Sequence, residues 1–216
     1  MAAACRSVFE IRFCQSMARD SAIAVVSRAI VGLLEDACPR TRFPNAEFRL
    51  VQASDLEGSS RPLDQGVTVY LYRTLFSTAR RTLPPRTDRL GRRFRASVPI
   101  DLQYLVTAWA ADVEQQQRLL GWAVRTLDDN PVVPAGYLNR FVPGGENVFG
   151  EAETVELIGD QLSLQDLYNV WDVAGHRHQP SVPYTVRQLA LESDRPLAEH
   201  APVQTREFVM GVLERG

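Results

Sequence analysis

Lysine is missing from this sequence: all 24 basic side chains among its 216 residues are arginine. A GC-rich coding sequence favours that bias. Its physical consequence is a set of planar donor forks suited to interface carboxylates. Cysteine is scarce. Cys5, Cys14 and Cys38 form no C-x-x-C pair and no zinc spacing with histidine, which argues against a disulfide framework and points to a reducing compartment. No apolar run approaches the roughly 18 residues of a membrane span. The first residues lack a signal-peptide core, because Arg6, Glu10 and Arg12 interrupt it. An excess of one charge is also absent. A net charge of −2 gives no global field for nucleic acid or a membrane surface.

Catalytic patterns are missing too. No serine sits in a G-x-S-x-G elbow. Gly144-Gly145 lacks the lysine and hydroxyl of a phosphate loop. Cys14 and Cys38 have no neighbouring histidine to activate them. His176 and His178 flank an arginine and find no third ligand at metal spacing, so a surface turn is the expectation there. Asp128-Asp129 closes a helix, where two acids are unfavourable. They mark either an interface with arginine or a solvated turn. No catalytic, metal or cofactor residue is assigned, and no enzyme is expected.

What is present is a 45% apolar chain able to bury one sizeable core. Residues 1–16 read as an upstream extension, with Met17 an alternative start. Asp20 is placed as the N-cap of a helix whose apolar face is Ile23, Val26, Ile30, Leu33 and Ala37, stopped by Pro39. A short strand is expected at Glu47–Ala53. VTVYLYRTLF, after Gly66, is apolar on both faces and suits an interior strand. VPIDLQYLVTAWA is a second long strand. Asp112 opens a helix with Val113, Leu120, Val124 and Leu127 as its stripe. Residues 131–153, rich in Pro and Gly, read as a long loop. A strand at Thr154–Ile158 precedes a helix capped by Ser163 and Asp166, with Leu164, Leu167, Tyr168 and Trp171 on one face and Gly175 at its end. Val182–Leu191 is the last strand. This order predicts an α+β fold: a mixed, largely antiparallel sheet with packed helices. The expected organisation is an extension at 1–19, a core domain at 20–193 and a C-terminal arm at 194–216.

The sharpest electrostatic feature is residues 77–97, a long loop or projecting hairpin. Seven arginines fall between Arg80 and Arg95, against Asp88 alone. Three readings compete: a solvated loop, a docking arm for an acidic protein surface, and a nucleic-acid patch. The last is the weakest, because Phe94 is the only interleaved aromatic. Trp122 lies off the stripe of its helix and is a candidate to face a neighbouring subunit.

Two blocks carry a family resemblance. In the first, Leu102, Tyr104, Leu105, Thr107 and Ala108 form a strand core. Leu120, Gly121, Ala123, Leu127, Asn130 and Pro131 then close a helix. In the second, Trp171 lies on a helix, followed by Pro180, Ser181, Tyr184 and Val186. Both resemble the cap-protein family of extracellular contractile injection systems of the antifeeding-prophage and virulence-cassette type. Residues 1–16 have no counterpart, and 132–153 and the tail after 193 look variable.

The resemblance implies a tail-terminator-like fold. It implies a homohexameric ring that closes the distal end of the inner tube and sheath, with sheath and tube subunits as partners and no cofactor. The ring would assemble in the bacterial cytoplasm and become part of the particle. A baseplate or effector-loading adaptor of the same particle is the alternative. Contact candidates are Arg80, Arg81, Arg86, Arg89, Arg92, Arg93 and Trp122. The tail run Phe208, Val209 and Met210 joins them, as a segment able to add a strand to a partner.

Overall fold

The computed structural model describes residues 20–197 except 59, 80–82, 89–90, 146 and 176–177. The expected extension, Cys5, Cys14, Met17, His176, His200 and the run Phe208–Met210 lie outside the described residues.

The frame is a six-stranded sheet. β1 (Glu47–Val51), β2 (Gly66–Phe76), β5 (Val98–Trp109), β6 (Val132–Pro134), β7 (Thr154–Gly159) and β8 (Ser181–Leu191) lie in the order β1-β2-β5-β8-β7-β6. Only β1 and β2 pair in parallel; the other four ladders are antiparallel. The mixed, largely antiparallel α+β fold is as the sequence predicts.

β2 and β5 are long, interior and apolar on both faces, so each face needs a cover. On one face, Val67, Val69, Leu102, Tyr104, Val106 and Val186 pack under α1 (Ala22–Ala37) and α3 (Val113–Asp128). The Ser27 hydroxyl of α1 meets the buried Tyr104 hydroxyl at 2.8 Å, and burial raises the pKa of that phenol. On the other face, Leu105 and Trp109 pack with Trp171 of α5 (Leu164–Val173) and Leu56 of the one-turn α2 (Ala53–Leu56). Trp109 and Trp171 meet edge to face, centroids 6.1 Å apart. The Trp109 indole donates to Thr68 at 2.8 Å.

Several local readings hold. Asp112 caps α3 by accepting from the Gln115 amide at 2.8 Å. Ser163 accepts from the Asp166 amide and donates to its carboxylate. Gly175, in the left-handed region at φ 69°, ends α5.

Others need correction. α1 starts after Ser21, with Asp20 accepting the Ser21 amide, and buries Ala22, Val25, Val26, Ala29, Ile30 and Leu34. That face is rotated from the expected one because α1 packs against the sheet and α3 together. α3 buries Leu119, Ala123, Thr126 and Leu127, and Val113 is exposed. On α5 only Trp171 is fully buried.

Residues 131–153 are not a plain loop. They hold β6, α4 (Ala135–Leu138) and two 3-10 turns. Asn139 knits them together: its side-chain oxygen accepts from the Val148 and Phe149 amides, and its nitrogen donates to the Phe149 carbonyl. Leu138 and Phe149 are thereby drawn into the core.

Where β5 meets β8 the register shifts between Ile100 and Leu102, and Gln188 turns to φ 55°. The Asp101 carboxylate accepts the Gln188 amide at 2.8 Å and holds this bulge.

Two helical glycines give opposite expectations. A Cβ on Gly32 of α1 would lie 2.2 Å from the Phe141 ring, whereas one on Gly121 of α3 would meet nothing. We expect Gly121→Ala to stabilise the protein by about 0.5–1 kcal/mol through helix propensity. Gly32→Ala is expected to destabilise it despite the same propensity gain. Urea unfolding of both variants checks the sign of each.

Candidate interaction surfaces

The arginine-rich segment is a hairpin. β3 (Arg86–Thr87) pairs antiparallel with β4 (Arg93–Phe94), and the pair bridges the end of β2 to the start of β5. Alternation along β4 turns Phe94 inward, where it is buried, and Arg93 and Arg95 outward, where both are exposed. Arg86, opposite Phe94, lays its guanidinium 4.5 Å from the ring centroid and pairs with Glu192 at 3.4 Å. These two side chains are mostly buried, at 21% and 12% exposure. Arg92 is bound to Asp88 through both its backbone amide and its guanidinium.

The segment after β8 runs back along this hairpin. The Arg95 amide donates to the Arg195 carbonyl at 3.0 Å, and the Leu197 amide to the Arg93 carbonyl at 2.8 Å. Phe94 and Pro196 face each other as an antiparallel bridge. Thus Arg195–Leu197 acts as a third strand on β4. Sequence reading placed the arginines and the tail as separate features. The cross-chain pairing that joins them has no local sequence signal.

The structure therefore divides the arginine candidates. Arg86 is a packing residue that fastens the tail, Arg92 is held by Asp88, and Arg93 projects. Arg80, Arg81 and Arg89 lie outside the described residues. Trp122 is half-buried, its ring 5.9 Å from Phe43 and 5.7 Å from Phe48 of β1. It seals the edge of the core beside the outermost strand. Among the described residues, no backbone partner covers the outer side of β1. The Asp128-Asp129 pair is offset within its own helix by Arg125, which bonds Asp129 and lies 3.6 Å from Asp128.

Sequence reading missed one surface. Leu164 and Tyr168 of α5, placed by spacing on the face of Trp171, are exposed, as is Val173. Of the α5 side chains only Trp171 reaches the sheet at full depth, with Leu167 and Val170 half-buried beside it; Leu56 and Leu63 complete the cover. The tyrosine hydroxyl of Tyr72 lies close to this helix. Burial first, and Asp160 second, push its pKa up to about 12.

An open groove of about 490 Å³ lies between α1 and β1, lined by Ile23, Leu50, Tyr70 and others. Its carboxylates, Asp20 and Asp55, accept the Ser21 and Gln52 amides and serve helix starts. Burial raises the pKa of the Cys38 thiol, against the pull of Arg40. Among the described residues, no three His, Cys, Asp or Glu side chains converge on a metal position. No described helix is long and apolar enough to cross a membrane.

The fold of this chain matches two solved structures. The structure of an extracellular contractile injection system's PVC sheath/tube terminator in the extended state matches 89% of this chain, with a TM-score of 0.56 and 18% identity. The anti-feeding prophage tube-terminating cap matches 86%, with a TM-score of 0.54 and 19% identity. This chain spans 64% and 60% of the lengths of those two proteins. No curated protein matches it significantly. The Pvc16 N-terminal domain family matches residues 25–205, and the chain belongs to that family.

Replacing Arg86 tests the fastening of the tail. Arg86→Ala removes both the ring stacking and the Glu192 pair, so we expect amide protection at Arg95 and Leu197 to fall roughly tenfold. Arg86→Lys keeps the charge but loses the planar stack, and should fall part of the way. Hydrogen exchange read residue by residue checks both.

Proposed function

We propose that this chain is a structural, non-enzymatic cap subunit. It terminates the distal end of the inner tube and sheath of a phage-tail-like contractile injection system, as a homohexameric ring. The observation that carries this reading is the shared fold over 89% of the chain with a sheath/tube terminator, together with membership of the Pvc16 N-terminal domain family.

The physical design is consistent with it. A ring that ends a tube must hold its shape under axial load. A sheet buried on both faces supplies stiffness without depending on a ligand. Its contacts fall to the rim: the arginine hairpin, the Trp122 corner and the arm from residue 194 onward. Leaving the body along β4, that arm starts as extended strand, the form needed to complete a partner's sheet. Phe208, Val209 and Met210 are its apolar anchor in this reading. The particle is assembled in the bacterial cytoplasm, and the cap remains part of it.

Native mass spectrometry of the purified chain should show a hexamer. Particles lacking the protein should carry tubes and sheaths of uncontrolled length by electron microscopy. A stoichiometry other than six, with the protein located at the baseplate end, would favour an adaptor for effector loading instead. Removal of residues 198–216 should abolish sheath capping while leaving the described body folded. Intact capping by that variant would take the arm out of the reading.

A further inference from the structure

The charges of this near-neutral chain are sorted by position. From Arg73 to Arg95 it carries eight arginines and one acid, Asp88. From Glu151 to Gly175 it carries six carboxylates and no arginine. The fold sets these stretches apart. The hairpin precedes the first residue of β5, whereas α5 is anchored by Trp171 on Trp109, the last residue of β5. β5 itself is twelve residues long, about 40 Å, and α5 packs over its second half, on Leu105 and Trp109.

The outward face of α5 is not covered by any other described element. Leu164, Tyr168 and Asp172 stand at i, i+4 and i+8, one above the other along the helix. Leu164 is 75% exposed and Tyr168 56%. The face is apolar and aromatic with an acid at its end. On the hairpin, Arg86 is committed to Glu192 and Arg92 to Asp88. Arg93 and Arg95 point outward, and no described carboxylate pairs with either.

We propose that copies of this chain associate head to tail, with the Arg93–Arg95 face of one hairpin seated on the Leu164–Tyr168–Asp172 stripe of the next copy's α5. The inference rests on the ring reading above and names the interface that would close the ring. Two guanidiniums match this stripe: one stacks on the Tyr168 ring, and the other forks onto the Asp172 carboxylate while Leu164 is covered. Both halves of the match belong to this chain, and no hydrogen bond or ion pair among the described residues joins Arg93 or Arg95 to α5 within one copy. Such a contact uses two different patches, so each added copy leaves one of each open until the ring closes. A free acidic partner would explain the arginines but would leave the apolar stripe uncovered.

Charge exchange on exposed positions tests this without touching the core. Arg93→Glu with Arg95→Glu reverses the hairpin; Gln165→Arg with Asp172→Arg reverses the helix. Sedimentation velocity should show that each double variant self-associates roughly 30-fold more weakly than wild type, the scale of losing a desolvated charge pair. Circular dichroism should be unchanged. An equimolar mixture of the two should recover the oligomer, because reversed hairpins then meet reversed helices in alternation. Oligomers that survive either reversal overturn the inference but leave the ring reading standing, and so does a mixture that fails to reassemble. If the hairpin variant stays oligomeric but loses retention of single-stranded DNA, the arginines belong to nucleic acid and the inference is likewise overturned. A wild-type chain that is monomeric at every concentration overturns the ring reading itself, and this inference with it.

Discussion

β5 is the strand on which the rest of the molecule depends. Leu102, Tyr104, Val106 and Ala108 face one way, and Leu105 and Trp109 the other, and all are buried. A strand apolar on both sides is unstable in water unless each side is covered. That requirement places α1 and α3 on one face and α5 on the other, and it fixes β2 and β8 as flanking strands. Two polar contacts inside this core, Ser27 to Tyr104 and Trp109 to Thr68, pair buried hydroxyl and indole groups. The first ties α1 to the sheet, with the Ser27 hydroxyl also bonded to the Ile23 carbonyl of its own helix, and the second ties β5 to β2.

Much of this was legible in the residues. The two long strands show their double-sided apolar pattern directly, and Asp112, Ser163 and Gly175 announce helix ends through local chemistry. What was not legible depends on contacts distant in sequence. The buried stripes of α1 and α3 are displaced from the periodic guess because each helix meets the sheet and the other helix at once. Residues 131–153 looked like a loop because Pro and Gly dominate them. The order comes instead from Asn139, whose amide makes three bonds to a backbone about ten residues away. Leu164 and Tyr168 share helical spacing with Trp171, so the sequence pattern does not tell the buried residue from the exposed ones. On the sheet below, Leu56 and Leu63 share the cover with Trp171, and Leu164 and Tyr168 are left exposed.

The candidate contact residues were legible only as composition. Arginines in a row do not say which of them pack, which pair and which project. Phe94 decides this: its ring draws Arg86 down over it at 4.5 Å, and strand alternation sends Arg93 and Arg95 the other way. The hairpin and the tail then form one unit. Whatever the arm from residue 194 reaches, its root is fixed to the same element that carries the outward charges.

The bulge at Gln188 governs where that root points. Up to Val186 the inward residues of β8 are Val182, Tyr184 and Val186; beyond the bulge they are Leu189 and Leu191. The parity of the strand has changed by one. With strict alternation, Gln188 and Ala190 would enter the core and both leucines would face solvent. One extra residue, pinned by Asp101, thus works as a phase shifter. It lets the strand keep an apolar inner face over its whole length while delivering Glu192 on the side where Arg86 waits. Forcing the same residues into strict alternation would turn Glu192 to the opposite face of the sheet, away from the Arg86 that receives it.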